Sequence, residues 1–202
     1  EIIEEVDLNN DGTGSMVFTL NLSKSKTKLA SIMLMDSING YKVPSRTDIK
    51  DGLNEVVGQL SKTDGISNIK KTADYENFVF SVRCDFMNIE NINSLIDGIA
   101  RKQKEKTGSS SYFFDSKKAN FKRTYSYSNE LKRQYSKLKS ENKKVFDEAS
   151  YTIIYRFQKE VISQTNPSAK VSKSKKAIMQ RMDVLDLING TSNVANIIQL
   201  TK

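Results

Sequence analysis

The chain has 202 residues, 32 Lys and Arg against 24 Asp and Glu, a net charge of +8 and 37% hydrophobic residues, an ordinary soluble globular composition that suits one domain or two small ones sharing a core. It contains no histidine and a single cysteine. Ser-His-Asp and Cys-His catalysis, histidine-ligated zinc and Cys-x-x-Cys redox chemistry are thereby excluded.

The pattern opens as a hairpin: residues 3–8, the turn Asn9-Asn-Asp-Gly-Thr-Gly14, and a strand over 15–22 that puts Met16, Phe18, Leu20 and Leu22 on one side. Residues 24–38 read as a helix with Leu29, Ile32, Met33 and Met35 forming a buried stripe, ended by Tyr41-Lys-Val-Pro44. Ser45-Arg-Thr-Asp48 is an S-x-x-D capping signal for a second helix that carries Ile49, Leu53, Val56, Val57 and Leu60 on one face. Strands follow over 65–71 and 75–86. In the second, Phe78, Phe80, Val82, Cys84 and Phe86 alternate inward, which reads Cys84 as core packing rather than a reactive or metal-binding thiol. Residues 88–102 form a third helix with Ile92, Leu95, Ile96 and Ile99 inward.

Gln103-Lys-Glu-Lys-Thr-Gly-Ser-Ser-Ser111 is the most linker-like stretch and the one candidate internal boundary at 103–111; each half alone is small, so residues 1–202 are read as one domain with one continuous sheet. Beyond it come strands at 112–114 and 121–127, a basic helix over 129–149, a long strand over 151–162, two short strands within 167–182, a helical turn at 183–188 and a closing strand at 194–200. Hairpins without regular β-α alternation predict an α+β fold: a largely antiparallel sheet with helices packed mainly on one face.

No catalytic constellation emerges. Asp7-Leu-Asn-Asn-Asp-Gly12 matches half of a calcium loop, but position 12 is Phe18 rather than a bidentate glutamate, so the segment reads as a polar turn and no metal site is expected. Asp48 with Asp51 and Asp183 with Asp186 lie at helical i, i+3 spacing, better explained by capping and helix initiation than by acid-base catalysis. No glycine-rich phosphate motif is present, and no cofactor is implied. Asn21-Leu-Ser23 and Asn189-Gly-Thr191 fit the glycosylation triplet.

The charge is uneven: residues 1–100 carry a net −5 and residues 101–202 a net +13, peaking over 101–144. There Tyr112, Phe113, Phe114, Phe121, Tyr125, Tyr127 and Tyr135 interleave with Lys117, Lys118, Lys122, Arg123, Lys132 and Arg133. Cations between aromatics suit single-stranded nucleic acid. Against that, Phe121, Arg123, Tyr125 and Tyr127 alternate on one strand face as core residues would, and no RNP-type or KH-type motif is present. A phospholipid or glycolipid head group is the competing anionic partner.

Two stretches resemble a family. The opening Glu4-Glu-Val-Asp-Leu-Asn-Asn-Asp-Gly-Thr-Gly-Ser-Met-Val-Phe-Thr-Leu20 is similar to the start of mature Bacteroidetes envelope lipoproteins, where strand, D-G-[ST]-G turn and strand follow an anchored cysteine. The run from Tyr151-Thr-Ile-Ile-Tyr-Arg-Phe157 through Asn166-Pro-Ser-Ala169 and Ala177-Ile-Met179 to Asp183-Val-Leu-Asp-Leu-Ile188 resembles the LppM-type lipoprotein domain, although the tryptophan frequent in that family's penultimate strand is absent. The resemblance implies a non-enzymatic, exported α+β domain of the bacterial periplasm or cell surface, a lipid or glycolipid as partner, and membrane association through an N-terminal anchor. The start at Glu1 rather than Met adds the expectation of a removed signal segment. On this reading Lys117, Lys118, Lys122, Arg123, Lys132 and Arg133 are the expected head-group contacts, acyl chains lying between sheet and helices. The alternative is a protein or nucleic-acid interaction module using the basic 101–144 surface.

Overall fold

A computed structural model describes residues 1–38, 41–102 and 110–202. In chain order the elements are β1 (Ile2–Leu8), β2 (Gly14–Asn21), α1 (Lys26–Ile32), β3 (Ser37–Ile38), β4 (Tyr41–Lys42), α2 (Arg46–Leu60), β5 (Ile66–Asp74), β6 (Val79–Phe86), α3 (Asn91–Lys102), β7 (Ser110–Asp115), β8 (Asn120–Tyr125), α4 (Asn129–Lys137), α5 (Ser140–Lys143), β9 (Ser150–Phe157), β10 (Val161–Gln164), β11 (Lys170–Val171), β12 (Ala177–Asp183), α6 (Val184–Asn189) and β13 (Asn196–Leu200).

Alternating apolar residues form the strands, and their register aligns the alternation. Glu4 pairs with Phe18 and Phe18 with Val82; Val6 pairs with Met16 and Met16 with Cys84. In the parallel pairing of β1 with β9, Glu4 lies beside Ile153 and Val6 beside Tyr155. Register partners point to the same side of a sheet. One face of the sheet β11-β12-β9-β1-β2-β6-β5 therefore carries the apolar set. The other face is charged: Arg156 bridges Glu5 at 2.5 Å and Asp7 at 3.3 Å, and Arg181 meets Glu1 at 3.1 Å.

Two different layers cover that apolar face. Over β9 and β1 lies a second sheet, β10-β13-β8-β7, whose Phe121 ring packs 4.9 Å from Tyr155 and 5.6 Å from Phe157. Over β2, β6 and β5 lie the helices, α2 against β5 and β6 and α3 against α2 and β7. Val6, Leu60 and Ile92 share one buried cluster with Tyr112, Phe121 and Ile198, so residues on both sides of the 103–111 stretch build the same core. The stretch itself, apart from Ser110 and Ser111, lies outside the described residues. The α+β class and the mostly antiparallel pairing are as the sequence predicts.

Several boundaries differ, each for a local reason. The sheet is not continuous: the strand expected over 151–162 breaks at residues 158–160, and its halves, β9 and β10, enter different sheets. The helix expected over 24–38 ends at Ile32; beyond Met33 the chain finds no packing partner, and Leu34 and Met35, the latter expected to be buried, face solvent. The strand expected over 75–86 starts at Val79, since Asp74 Oδ1 accepts from the amides of Glu76 and Asn77 and holds residues 75–77 as a turn. The basic helix expected over 129–149 is broken at Leu138 and Lys139, both extended, with the Lys143 ammonium donating to the Ser136 carbonyl at the break. The capping signal at α2 is realised in full: Ser45 Oγ accepts from the Asp48 amide and Asp48 Oδ2 from the Ser45 amide. Residues 9–14 form the polar turn between β1 and β2, with Asp11 Oδ1 accepting from the Thr13 amide.

Candidate ligand-binding site

Where the two covering layers meet, the helices do not close fully onto the large sheet. They leave a partly open cavity of about 720 Å³. The sheet contributes Met16, Phe18, Leu20 and Leu22 from β2 and the residue after it, and Phe78, Phe80, Val82 and Cys84 from β6 and the residue before it. The helical wall is Leu29, Ile32 and Met33 at α1, then Ile49, Leu53, Val56 and Leu60 of α2, then Ile92, Leu95 and Ile96 of α3. These belong to the faces the periodicity marks as inward; of those sets Met35, Val57 and Phe86 are not part of the wall, and the Ile99 side chain lies outside the described residues. Phe18 at 45% exposure stands at the open side, whereas Leu60, Cys84 and Ile92 are buried at the deep side.

Four polar residues interrupt the apolar wall: Ser81, whose hydroxyl is bonded to that of Thr72, and Glu4, Arg123 and Tyr151. Glu4 sits among inward-pointing apolar residues of β1 and is only 3% exposed. Its carboxylate is saturated with donors. Oε1 accepts from the hydroxyls of Tyr112 and Tyr155, the latter at 3.3 Å. Oε2 accepts from the Tyr151 hydroxyl at 2.5 Å and from Arg123 Nη2 at 3.4 Å. Each strand supplies its donor by the same alternation that builds the core: Tyr151 and Tyr155 from β9, Tyr112 from β7, Arg123 from β8. Burial first, and then the Glu4 carboxylate, holds the three phenols well above their usual range, so they stay protonated donors.

Arg123 is 5% exposed and closes the other side of the cluster. Its guanidinium carbon lies 3.8 Å from the centre of the Tyr112 ring. Beyond the single bond to Glu4, its Nε and Nη1 are buried without a hydrogen-bond partner among the described residues. Burial alone would depress a guanidinium, but Glu4 more than offsets it and keeps Arg123 charged.

Of the six basic residues singled out by sequence, Arg123 alone lines this cavity. Lys122, its neighbour on β8, points to the opposite, exposed side. Lys117 and Lys118 lie in the β7–β8 turn, Lys118 beside Asp115 at 3.7 Å. Lys132 and Arg133 are exposed on α4, with Arg133 paired to Glu130. Glu4, Tyr151 and Tyr155 escape a search for basic patches, and Tyr112 enters it only as one of seven aromatics. The signal was present in Ile2-Ile-Glu-Glu-Val-Asp-Leu8, where Glu4 falls in phase with Ile2, Val6 and Leu8. Cys84 is buried and free, as expected, and burial pushes its thiol up to about 11.

Among the described residues no group of acidic or sulfur side chains could hold a metal ion, and no helix is long and apolar enough to cross a membrane. No protein-family model matches the chain and no curated protein matches it, so the Bacteroidetes part of the resemblance has no sequence support. In three dimensions the chain is similar to the folded domain of LppM from Mycobacterium tuberculosis, determined by NMR. The TM-score is 0.50 at 8% identity, over 100% of this chain and 90% of that one, a likeness of fold.

Proposed function

We propose that this protein is a non-enzymatic domain of the bacterial cell envelope that binds an acyl-chain amphiphile, a lipid or glycolipid, in the cavity between the large sheet and α1–α3. The observation that carries the reading is the cavity: about 720 Å³, walled by aliphatic and aromatic side chains. That lies within the roughly 300–1,000 Å³ of small-molecule sites. An acyl chain seated there gains about 0.8 kcal/mol for each methylene withdrawn from water. The polar residues of the wall support binding over catalysis. Glu4 has four donors on its two oxygens and no lone pair positioned as a base, and the tyrosines are held as donors. Envelope placement rests on the fold likeness and is part of the proposal.

The test is native mass spectrometry of protein purified without detergent, followed by solvent extraction and uptake of the neutral apolar dye Nile red. The expected result is a stoichiometric adduct of lipid mass and saturable dye binding, both reduced when Leu20→Trp fills the cavity. A clean protein mass together with no dye uptake by the wild-type chain overturns the reading.

A further inference from the structure

The cavity wall holds one feature that an apolar site does not need: a buried cation with donors left over. Arg123 Nε and Nη1 are shielded from solvent and meet no acceptor among the described residues. Leaving such donors unmet is unfavourable, and more so for a charged group. The tyrosine ring against the guanidinium carbon interacts with its face and leaves its in-plane N–H donors still to be met. Glu4 cannot serve them further, since its oxygens already hold four donors. Arg123 is part of the cavity wall, so a ligand acceptor that reaches its guanidinium from the cavity, with a small turn of the side chain toward it, meets unmatched donors.

Charge balance decides which acceptor fits. Arg123 and Glu4 already neutralise one another at 3.4 Å, both with side chains under a tenth exposed. A carboxylate or phosphate head would add a net negative charge to a water-poor site only one guanidinium away from Glu4, and all its remaining neighbours are apolar or already committed. A neutral carbonyl oxygen satisfies an Arg123 donor without that penalty. We infer that the ligand is a neutral acyl ester, such as a glyceride or an acylated sugar, bound with its ester carbonyl against Arg123 and its chain along β2 and β6. This rests on the amphiphile-binding reading and specifies it. It also moves head-group recognition from the exposed lysines to the deep side of the cavity.

The experiment is displacement of Nile red from the full chain by competitors with an eighteen-carbon chain: methyl oleate, oleate and 1-octadecene. Methyl oleate is expected to compete roughly ten- to a hundred-fold better than 1-octadecene, the scale of one hydrogen bond to a charged donor, and better than oleate. In Arg123→Met the preference for ester over alkene is expected to be lost. Because that variant removes half of a buried pair and could fail to fold, methyl oleate labelled with carbon-13 at the carbonyl is also bound to the wild-type chain. Its resonance is expected downfield of the same ester in alkane. An oleate preference, equal competition by ester and alkene, or an unshifted carbonyl overturns this inference while leaving amphiphile binding in place. Absence of dye uptake by the wild type overturns both.

Discussion

Removing the charge of Glu4 with Glu4→Gln tests the buried cluster most directly. The wild-type carboxylate is the only hydrogen-bond acceptor of Arg123 among the described side chains, and it accepts from three tyrosine hydroxyls besides. Glutamine keeps one carbonyl oxygen but turns an NH2 donor toward Tyr151 and Arg123, both of which donate. The guanidinium is left buried and uncompensated, a situation that typically costs about 3–5 kcal/mol. In a domain of this size that corresponds to a fall in Tm of roughly 6–20 °C. Arg123→Met should cost less, about 1.5–3 kcal/mol, because Glu4 retains three hydroxyl donors whereas Arg123 without Glu4 retains only the Tyr112 ring. Urea unfolding followed by circular dichroism gives both values, with unchanged m confirming that the denatured state is not the cause. The double variant should be less destabilised than the sum of the singles by more than about 1 kcal/mol. A Glu4→Gln change costing under about 1 kcal/mol, or an Arg123→Met change costing more than Glu4→Gln, would refute the reasoning.

Three further outcomes follow from the geometry. The folded state favours the protonated phenols of Tyr112, Tyr151 and Tyr155, so their contribution to stability is complete below pH about 10 and declines as pH rises above it. Ultraviolet titration should show these three ionising only together with loss of structure; ionisation in step with the exposed tyrosines would contradict their burial. Cys84, with its thiol raised to about 11, holds only about 0.1% thiolate at pH 8 and should react with Ellman's reagent far more slowly when folded than in urea. Equal rates would place it outside the core. Gly14→Ala puts a methyl group 2.0 Å from the Asp7 carbonyl oxygen and 2.7 Å from the Phe86 ring, so the β1–β2 pairing must shift and stability should drop by more than 1 kcal/mol. Unfolding midpoints equal to wild type would show that the hairpin end is not packed as described.

Much of this molecule is readable along the chain because the information is local. Alternation in residues 14–21 and 79–86, the Ser45–Asp48 capping box and the helical stripe of α2 each depend on neighbours within a turn or a strand, and all reappear in the fold. So does the burial of Cys84. The ends of the helices and strands were less legible where a side chain or a lack of packing partners ends an element, as Asp74 and Leu34 do. Of the candidate site, the apolar wall was legible as inward faces, but its polar cluster was not. Arg123 was visible as one cation among six, set by alternation on the Phe121 face and apart from Lys122, but with no partner in view.

What sets Arg123 apart is a partner 119 residues away in sequence. Residue types and their spacing settle that the chain forms strands and amphipathic helices, that it has no histidine or paired-cysteine chemistry, and that Glu4 stands in phase with apolar neighbours. Only the tertiary structure brings β7 and β8 over that position and β9 beside it, and assigns four donors to one carboxylate. It alone leaves the helices standing off β2 and β6, so that their apolar faces wall a cavity as well as a core. The reason is physical: periodicity fixes which way a side chain points relative to its own element, whereas ion pairing and cavity formation depend on which other element stands opposite, at what distance, and how completely the two close.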